Sequence, residues 1–544
     1  MCEENAEEAK GFISNGGRRL AHLTNVTFRD GETFAFTEET SGQNRHLQPQ
    51  VMLGMAHLLL VSAIGMSLGH SAVLLPKLKE EEANSNLYVD EETGSLIASI
   101  FMLVSPVGSL GGGLLLEHIG RRTSYLLGEL LFVLGWLLIT TAHNQAMLIG
   151  GRVIYGTAVG ICTSASSVLY DELSHPRFRG SVLVLGASFG AIGVLAMCTM
   201  GAALHWRVAA AFATAPLIFN LLILWFYIPE SPTFLVKKNR LVEAELSLTW
   251  VWGPDSQAKV MQDLRNLSQR FRTQFEERRP FLNRWNAKAC LGRFVNNCKR
   301  YLAPPILKPF IIVLVFNILQ IPCGLGIVMF YTVDILSKVK GETYDTFDEF
   351  TMTILLSTAR VISLIISAAA MYRVGRRTIG ILSGLGSSAF ALAAGVVLYL
   401  RHIPNLSVQT EAWINVVLIT SYVSLNTFGI YCLAYTMIGE VLPAKVRGEL
   451  FGSIVAISNV FSGAADKIYP WLLHSLGIHG LFILFGVSSV ICTIFVYFFL
   501  PETFGCTLDN IEDYFHQPNI LWISRNKVST APEVMVNNGT LASS

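Results

Sequence analysis

The chain has 544 residues, of which 52% are hydrophobic and 15% are charged, and its formal net charge is +1. Soluble proteins are about 25% charged, so this composition excludes an ordinary soluble domain and indicates a polytopic membrane protein. The near-neutral charge gives no basic surface for nucleic acid, and no catalytic nucleophile, metal cluster or phosphate-binding loop is recognisable, so we expect no nucleic-acid partner, no enzyme activity, no metal and no cofactor.

The first half of the chain begins with a polar tail of mixed charge, residues 1–50, which we expect to stay in the cytosol without packing. Six apolar segments follow, each close to the roughly 20 residues that a helix needs to cross a bilayer. We number them spans 1 to 6 and place them at 51–74, 94–116, 125–142, 147–170, 181–204 and 208–228. Residues 51–228 are therefore predicted to form one six-helix half.

A basic hydrophilic stretch, residues 229–305, separates this half from the next. Its apolar residues recur at helical spacing, for example Leu241, Ala244 and Leu248, which predicts amphipathic cytosolic helices packed under the bundle. The second half, residues 306–500, precedes a cytosolic tail at 501–544. Spans 7 to 12 are predicted at 306–336, 350–372, 378–400, 413–440, 449–474 and 479–500.

The short loops set the orientation. Positive residues gather on the side of the two termini, and the opposite side is poorer in positive charge. The residues on the side of the termini are Arg121, Arg122, Arg177, Arg179, Arg373, Arg376, Arg377, Lys445 and Arg447. Because cytosolic loops carry an excess of Lys and Arg, we expect both termini and the linker in the cytosol, and a multi-pass protein of the plasma membrane. The expected partners are the lipid bilayer and a small-molecule solute.

The two halves repeat one another. Three signatures occur once in each half, in the same order: Gly120-Arg121-Arg122 and Gly375-Arg376-Arg377, Glu172 with Arg179 and Glu440 with Arg447, and Pro229-Glu230 and Pro501-Glu502. An offset of about 255 to 272 residues in all three indicates a duplicated unit. Two such halves around one cavity are typical of a secondary transporter.

The repeated charges are predicted to form a cytosolic gate. Glycine permits a tight turn between spans, and the arginines there can meet carboxylates and helix C-termini, with a charge from the other half completing a pair that breaks when this end opens. The alternative is that they only fix topology and cap helices. The predicted gate residues are Arg121, Arg122, Glu172, Arg179, Glu230, Arg376, Arg377, Glu440, Arg447 and Glu502.

These motifs, with Pro229-Glu230-Ser231-Pro232 and Pro501-Glu502-Thr503, resemble the signature set of the sugar porters of the major facilitator superfamily, and among them the facilitated trehalose and glucose transporters. The resemblance covers roughly residues 50–515. It implies an all-α fold of twelve transmembrane helices in two six-helix pseudo-repeats, and alternating access that carries a sugar down its gradient. It also implies that the cytosolic charges stabilise the outward-open state. Thr233 stands where the family usually has an arginine, which indicates that one pair is missing.

The substrate site departs from the family pattern. In span 7 only Gln320 matches the family's Q-Q-L-S-G-I-N, and Ala187 stands where the family has a sugar-binding glutamine. Tyr435 ends the segment that corresponds to the family's Pro-x-Pro-Trp, while Asn459 matches an asparagine of the eleventh span. Arg360 occupies the place of a sugar-binding asparagine.

Amide side chains and aromatic rings are the groups that bind sugar hydroxyls and ring faces. Successive offsets of 3, 4 and 7 residues would place Asn317, Gln320, Gly324 and Tyr331 on one helix face, although both amides have the alternative role of interhelical hydrogen bonding. Arg360 lies near mid-membrane, where a charge is costly and usually functional. The predicted substrate-binding residues are Asn317, Gln320, Tyr331, Arg360, Tyr435 and Asn459. Asp466 and Lys467 are expected to pair with each other or with a neighbouring helix.

The predicted function is facilitative transport of a small polar solute, with a sugar, trehalose or a hexose, as the expected cargo. Arg360 motivates one alternative, a transporter retuned to an anionic or other non-sugar solute. The loss of several family amides motivates another, a transport-incompetent solute sensor. Span 1 contains His57 and His70 but no carboxylate, whereas proton-driven relatives place an aspartate there, so transport is expected to be independent of protons.

Overall fold

The computed structural model describes residues 47–79, 87–282, 304–340, 348–371, 373–400, 408–443, 447–504 and 515. Every regular element in these ranges is a helix. The predicted N-terminal tail up to residue 46, the linker residues 283–303 and nearly all of the C-terminal tail lie outside the described residues.

The first half consists of long apolar helices. Their bounds are Leu47–Lys79, Glu91–His118, Arg121–Thr140, Gln145–Leu173, Pro176–Ala203, and the pair Trp206–Phe212 and Ala215–Phe226. Side-chain caps fix two of the starts: Asp90 accepts from the Thr93 amide at 3.1 Å and Asn144 from the Met147 amide at 2.9 Å. The Thr93 bond also lowers the pKa of the Asp90 carboxyl.

The second half has the same number of spans with more interruptions. Its elements are Pro304–Leu319, a 3₁₀ turn at Ile321–Cys323, Leu325–Phe330, Thr332–Lys340, Glu349–Met371, Arg376–Tyr399, Val408–Asn426, a π segment at Thr427–Tyr431, Cys432–Val441, and Arg447–Phe499.

The last of these elements contains two spans. A helix of 53 residues would be about 80 Å long, far more than the roughly 30 Å hydrocarbon core, and Gly477 has non-helical dihedrals (φ 67°, ψ 173°) inside it. Eleven helices of the described chain are long and apolar enough to cross a membrane, with Leu450–Phe499 counted once. Divided at Gly477, they give the twelve predicted spans, and the all-α major facilitator fold is confirmed.

Span 7 is broken, which corrects the prediction of one continuous helix over 306–336. Gly324 has φ 84°, in the left-handed region, and a Cβ there would lie 2.4 Å from the Phe485 ring. The Tyr422 hydroxyl donates to the Cys323 carbonyl, which has lost its helical partner. Glycine, a close aromatic neighbour and a tyrosine donor thus allow the span to change direction inside the membrane.

The halves pack against each other along spans 2 and 11 and along spans 5 and 8. The contact is close, since a Cβ on Gly463 would lie 2.8 Å from the Leu103 side chain. We call the end of the bundle with the two Gly-Arg-Arg loops the inner end and the opposite end the outer end, following the predicted orientation.

The described part of the linker contains three α-helices, Pro232–Lys237, Leu241–Trp252 and Gln257–Leu282, and a 3₁₀ turn at Pro254–Ser256. Their apolar faces pack mainly on one another, in a small core of Leu235, Val236, Ala244, Leu248, Val260 and Leu264. Val251 joins the core of the bundle, and Trp252 contacts His175. The predicted amphipathic helices are therefore present, although they bury each other more than they cover the bundle.

Candidate functional site

A cavity of about 60 Å³ lies between the two halves, with room for about four waters. Leu68 and Met102 of the first half form one side of it, and residues of spans 7, 10 and 11 form the rest. Three of the predicted substrate residues are in its wall: Gln320, Tyr435 and Asn459. The wall therefore offers two amides and an aromatic ring, the groups that a sugar site uses.

The same wall contains polar side chains that were not among the predicted substrate-binding residues. They are Tyr431, Ser458, Ser462 and Asp466. Asp466 is 1% exposed, and neither of its carboxylate oxygens has a hydrogen-bond partner among the described residues. A carboxylate inside a span was a signal of function in the sequence, because ionisable groups are rare at that depth.

Lys467 bonds to a neighbouring helix, the second of the two expected alternatives, and not to Asp466. Its ammonium group donates to the Ser95 hydroxyl and to the Glu92 carbonyl, both at 3.0 Å and both in the other half. Successive residues of a helix point in different directions, which separates the two charges.

Asn317 and Tyr331 are outside the cavity wall. The Asn317 amide donates to the carbonyls of Val313 at 2.9 Å and of Ala434 at 3.1 Å, so it ties span 7 to span 10. The Tyr331 hydroxyl donates to the Asp466 carbonyl at 3.1 Å, and its ring stacks on Tyr469. The predicted common face required an unbroken helix, and the break at Gly324 removes it.

Arg360 is buried at 4% exposure and is not part of the wall itself. Its guanidinium lies over the ring of Tyr431, 5.4 Å from the centroid, and so stands next to the wall. Its Nε and Nη1 have no hydrogen-bond partner among the described residues. The ring of Tyr431 therefore separates the guanidinium from the cavity.

Two further ionisable side chains, which were not predicted from the sequence, are buried inside the first half. Arg152 of span 4 is fully buried and donates to the Ser71 hydroxyl at 2.7 Å, with the His70 ring 3.3 Å away. Glu129 of span 3 is fully buried and accepts from the Asn220 amide. Both charges interrupt otherwise apolar spans, which was the available signal.

The inner end of the first half is a network centred on Glu230. One of its oxygens accepts from the amides of Arg121 at 2.8 Å and Arg122 at 3.0 Å, the free N–H groups at the start of span 3. Gly120 (φ 102°) leaves room for this carboxylate, because a Cβ there would lie 2.4 Å from Glu230 Oε2. Arg121 pairs with Glu172 at 3.4 Å, and the Ser231 hydroxyl also donates to Glu172.

The inner end of the second half repeats this network. Glu502 accepts from the amides of Arg376 at 2.8 Å and Arg377 at 3.1 Å, beside Gly375, where a Cβ would again meet the carboxylate at 2.4 Å. Arg376 pairs with Glu440 at 3.0 Å, and the Thr503 hydroxyl donates to Glu440. The sequence repeat is therefore a repeat of hydrogen bonds.

The second arginine of each motif also has a matching role. Arg122 donates to the carbonyls of Leu224 at 3.0 Å and Trp225 at 2.7 Å, and Arg377 donates to the Tyr497 carbonyl. These carbonyls lie in the last turns of spans 6 and 12, which have no helical donors left.

Each of these described ion pairs stays within its own half, so the predicted completion of a pair by the other half is not found among them. The side chains of Arg179 and Arg447 are outside the described part of the structure, and their predicted gate role stays a prediction.

Charged contacts between the halves lie at the outer end instead. Lys79 of span 1 is 3.4 Å from Asp334 of span 7, which also accepts from the Tyr469 hydroxyl at 3.0 Å. Lys467 adds the bonds to Ser95 and Glu92. In the described conformation these contacts therefore join the two halves at the outer end.

Comparison with known proteins gives the same fold and a family. Residues 54–515 match the model of the sugar (and other) transporter family. The chain is 30% identical over 470 residues to a facilitated trehalose transporter of Apis mellifera ligustica, covering 86% of this chain and 88% of that one. It is 27% identical to the counterpart of Anopheles gambiae, of which it spans 56%.

Solved structures agree in fold. The inward-open xylose transporter XylE of E. coli superposes with a TM-score of 0.62 at 17% identity, covering 86% of this chain and 99% of that one. The human organic anion transporter TETRAN reaches 0.50 at 14% identity, covering 84% and 100%. With its family match over most of its length, and with the repeated inner networks and the central cavity described above, the chain belongs to the sugar (and other) transporter family.

Proposed function

We propose that the protein carries a sugar, trehalose or a hexose, down its gradient by alternating access of the cavity between its halves. The observation that supports this most is the composition of the cavity wall, in which Gln320 and Asn459 offer amides beside the rings of Tyr431 and Tyr435. Amides donate to and accept from hydroxyls, while aromatic faces pack on a sugar ring.

The orientation and division of the chain belong to the same proposal. The inner end faces the cytosol, with both termini and the linker on that side, and the membrane is the plasma membrane. Residues 51–228 and 306–500 act as the two moving units. The positive residues gathered at the inner end support this orientation.

Arg360 supports a second candidate, an anionic or other non-sugar solute, since its guanidinium is buried beside the wall without hydrogen-bond partners for Nε and Nη1 among the described residues. Asp466, a carboxylate in the wall itself, opposes an anion there. The solute-sensor alternative predicts binding without transport.

Uptake by proteoliposomes tests all three candidates. The purified chain should accumulate radiolabelled trehalose or glucose up to, and not beyond, the external concentration. A protonophore should leave the initial rate unchanged, because span 1 contains His57 and His70 but no carboxylate. Uptake of an organic anion alone would favour the second candidate, and binding without uptake would favour the sensor.

A further inference from the structure

Asp466 is the group in the cavity wall whose position is hardest to explain without a ligand. It is buried at 1% exposure, and both carboxylate oxygens lack hydrogen-bond partners among the described residues. The neighbouring Lys467 is committed to Ser95 and Glu92 across the halves. An ionised carboxylate in such a place is unfavourable until donors reach it.

The surroundings of Asp466 are those of a binding surface. Span 11 is helical here, so Asn459, Ser462 and Asp466 follow at offsets of 3 and 4 residues and form one stripe along the cavity. Gly326 of span 7 faces this stripe, since a Cβ on it would lie 3.7 Å from the Ser462 hydroxyl. The stripe ends at the Asp466 carboxylate, and span 7 forms the facing side of the cavity.

A carboxylate is an acceptor only, with two oxygens that each take hydrogen bonds from O–H or N–H groups. Among uncharged solutes, sugars present the densest sets of O–H donors. Bonds to an ionised acceptor are about twice as strong as neutral ones. An acceptor in this position therefore selects for a hydroxyl at one end of the solute.

We propose that Asp466 is a specificity-determining residue, whose carboxylate accepts a hydrogen bond from one hydroxyl group of the solute at the outer end of the cavity. This inference rests on the proposed function, because it assigns a further contact to the same sugar site. It adds an acceptor to the amide and aromatic groups already described.

The test is a binding cycle with the purified full-length protein. The dissociation constants of trehalose and glucose are measured first, and then those of single-position deoxy analogues of the sugar that binds. In the parent protein, one deoxy analogue should bind roughly 10- to 100-fold more weakly, the range for a hydrogen bond to a charged group. Asp466→Asn should weaken the full sugar by a similar factor, and it should bind that deoxy analogue and the full sugar equally.

Asp334→Asn is the matched control, since it removes a carboxylate of the outer end that bonds to Lys79 and Tyr469 and is not in the wall. If Asp334→Asn changes the equilibrium between the conformations, it changes the apparent dissociation constant of every sugar by the same factor. The ratio of each deoxy analogue's dissociation constant to that of the full sugar should therefore stay at the parent value. Asp466→Asn should change one ratio only.

Three results would overturn the inference. Unchanged affinity in Asp466→Asn would mean that no solute hydroxyl reaches the carboxylate. Equal weakening of the full sugar and of all deoxy analogues would make Asp466 a structural residue. Uptake that depends on a proton gradient in the parent, and loses this dependence in Asp466→Asn, would make it a proton carrier. If the parent protein binds neither sugar, the proposed function itself fails, and the inference fails with it.

Discussion

The two amides of span 7 have different surroundings, although they are three residues apart. Gln320 is in the cavity wall, whereas the Asn317 amide bonds to two backbone carbonyls. We expect Gln320→Met to raise the KM for sugar uptake with little change in thermal stability. Asn317→Leu should instead lower stability by about 0.6 to 1.7 kcal/mol, the range for interhelical hydrogen bonds in membranes, and keep the KM. Uptake kinetics and thermal melts of both variants in the same detergent provide the comparison, and a reversed pattern would contradict the assignment.

We expect Arg360 to lower the stability of the folded protein and to be needed for uptake. Its Nε and Nη1 have no hydrogen-bond partner among the described residues, and a buried charge in that situation is unfavourable. Replacing it with an apolar residue of similar volume, Arg360→Met, should raise the thermal midpoint, by about 1 kcal/mol or more in stability. Uptake should fall, because the ring of Tyr431 loses its cationic neighbour beside the wall. Arg360→Lys is the control that keeps the charge and should keep partial activity. A large loss of stability in Arg360→Met would instead identify the guanidinium as part of a structural pair.

The sequence identified some of the cavity-wall residues and buried charges and not others, and the difference has physical reasons. Asn459 and Tyr435 were found because family motifs mark them, and both are in the wall. Arg152 and Glu129 were missed because averages over a span conceal single charges. Asp466 and Lys467 were noticed, but the partners of Lys467 depend on how span 11 is rotated against span 2, and a single sequence does not contain that rotation.

Among the elements, the inner networks bind three helices of each half together. Glu440 accepts from Arg376 of span 9 and from the Thr503 hydroxyl beyond span 12. If the charges stabilise the outward-open state, as the family resemblance implies, Glu440→Ala should shift the population toward the inward-facing state, by about 0.5 to 1.5 kcal/mol. Labelling of a cysteine introduced at Ser462 from the cytosolic side should then become faster, and turnover should change.

The control for this experiment is Glu117→Ala, which removes an exposed inner-end carboxylate that pairs only weakly with Lys237, at 3.8 Å. It should leave labelling and turnover at the parent values. A well-folded Glu440→Ala protein with unchanged labelling would assign the residue to topology and helix capping alone.

The positions of the spans were predictable, and their interruptions were not. Length and apolarity locate each span, because a bilayer of fixed thickness requires about 20 apolar residues. The break of span 7 at Gly324 depends on tertiary partners such as Phe485 and Tyr422, which hydropathy does not report. The π segment of span 10 is likewise not visible in hydropathy. The duplicated inner networks were visible as motifs in the sequence. That each ion pair forms within one half depends on how the helices pack, which the motifs do not contain.

For the whole molecule, the two ends have different kinds of contact. The described ion pairs of the inner networks lie within one half, while the outer end has contacts that join the halves, namely Lys79 with Asp334 and Lys467 with Ser95 and Glu92. A transporter must break such contacts to open outward, so their strength sets part of the energy difference between its states. Outward opening should therefore respond to the outer lysines.

Three lysine variants should differ in how far they shift the equilibrium toward the outward-open state. Lys467→Met removes two hydrogen bonds of a charged donor and should favour the outward-open state by about 10-fold or more. Lys79→Met removes an ion pair that is 41% exposed on the lysine side, and since such pairs are worth about 0.2 to 1 kcal/mol, the shift should be at most about fivefold. Lys338→Met is the matched control, because Lys338 pairs with the same Asp334 at 3.7 Å but within one half, and it should not shift the equilibrium between the two states.

The measurement is labelling of a cysteine introduced at Ser462 by a membrane-impermeant reagent from outside, in sealed proteoliposomes of known orientation. Equal labelling in all three variants would mean that packing of the spans, and not these charged contacts, holds the outer end closed.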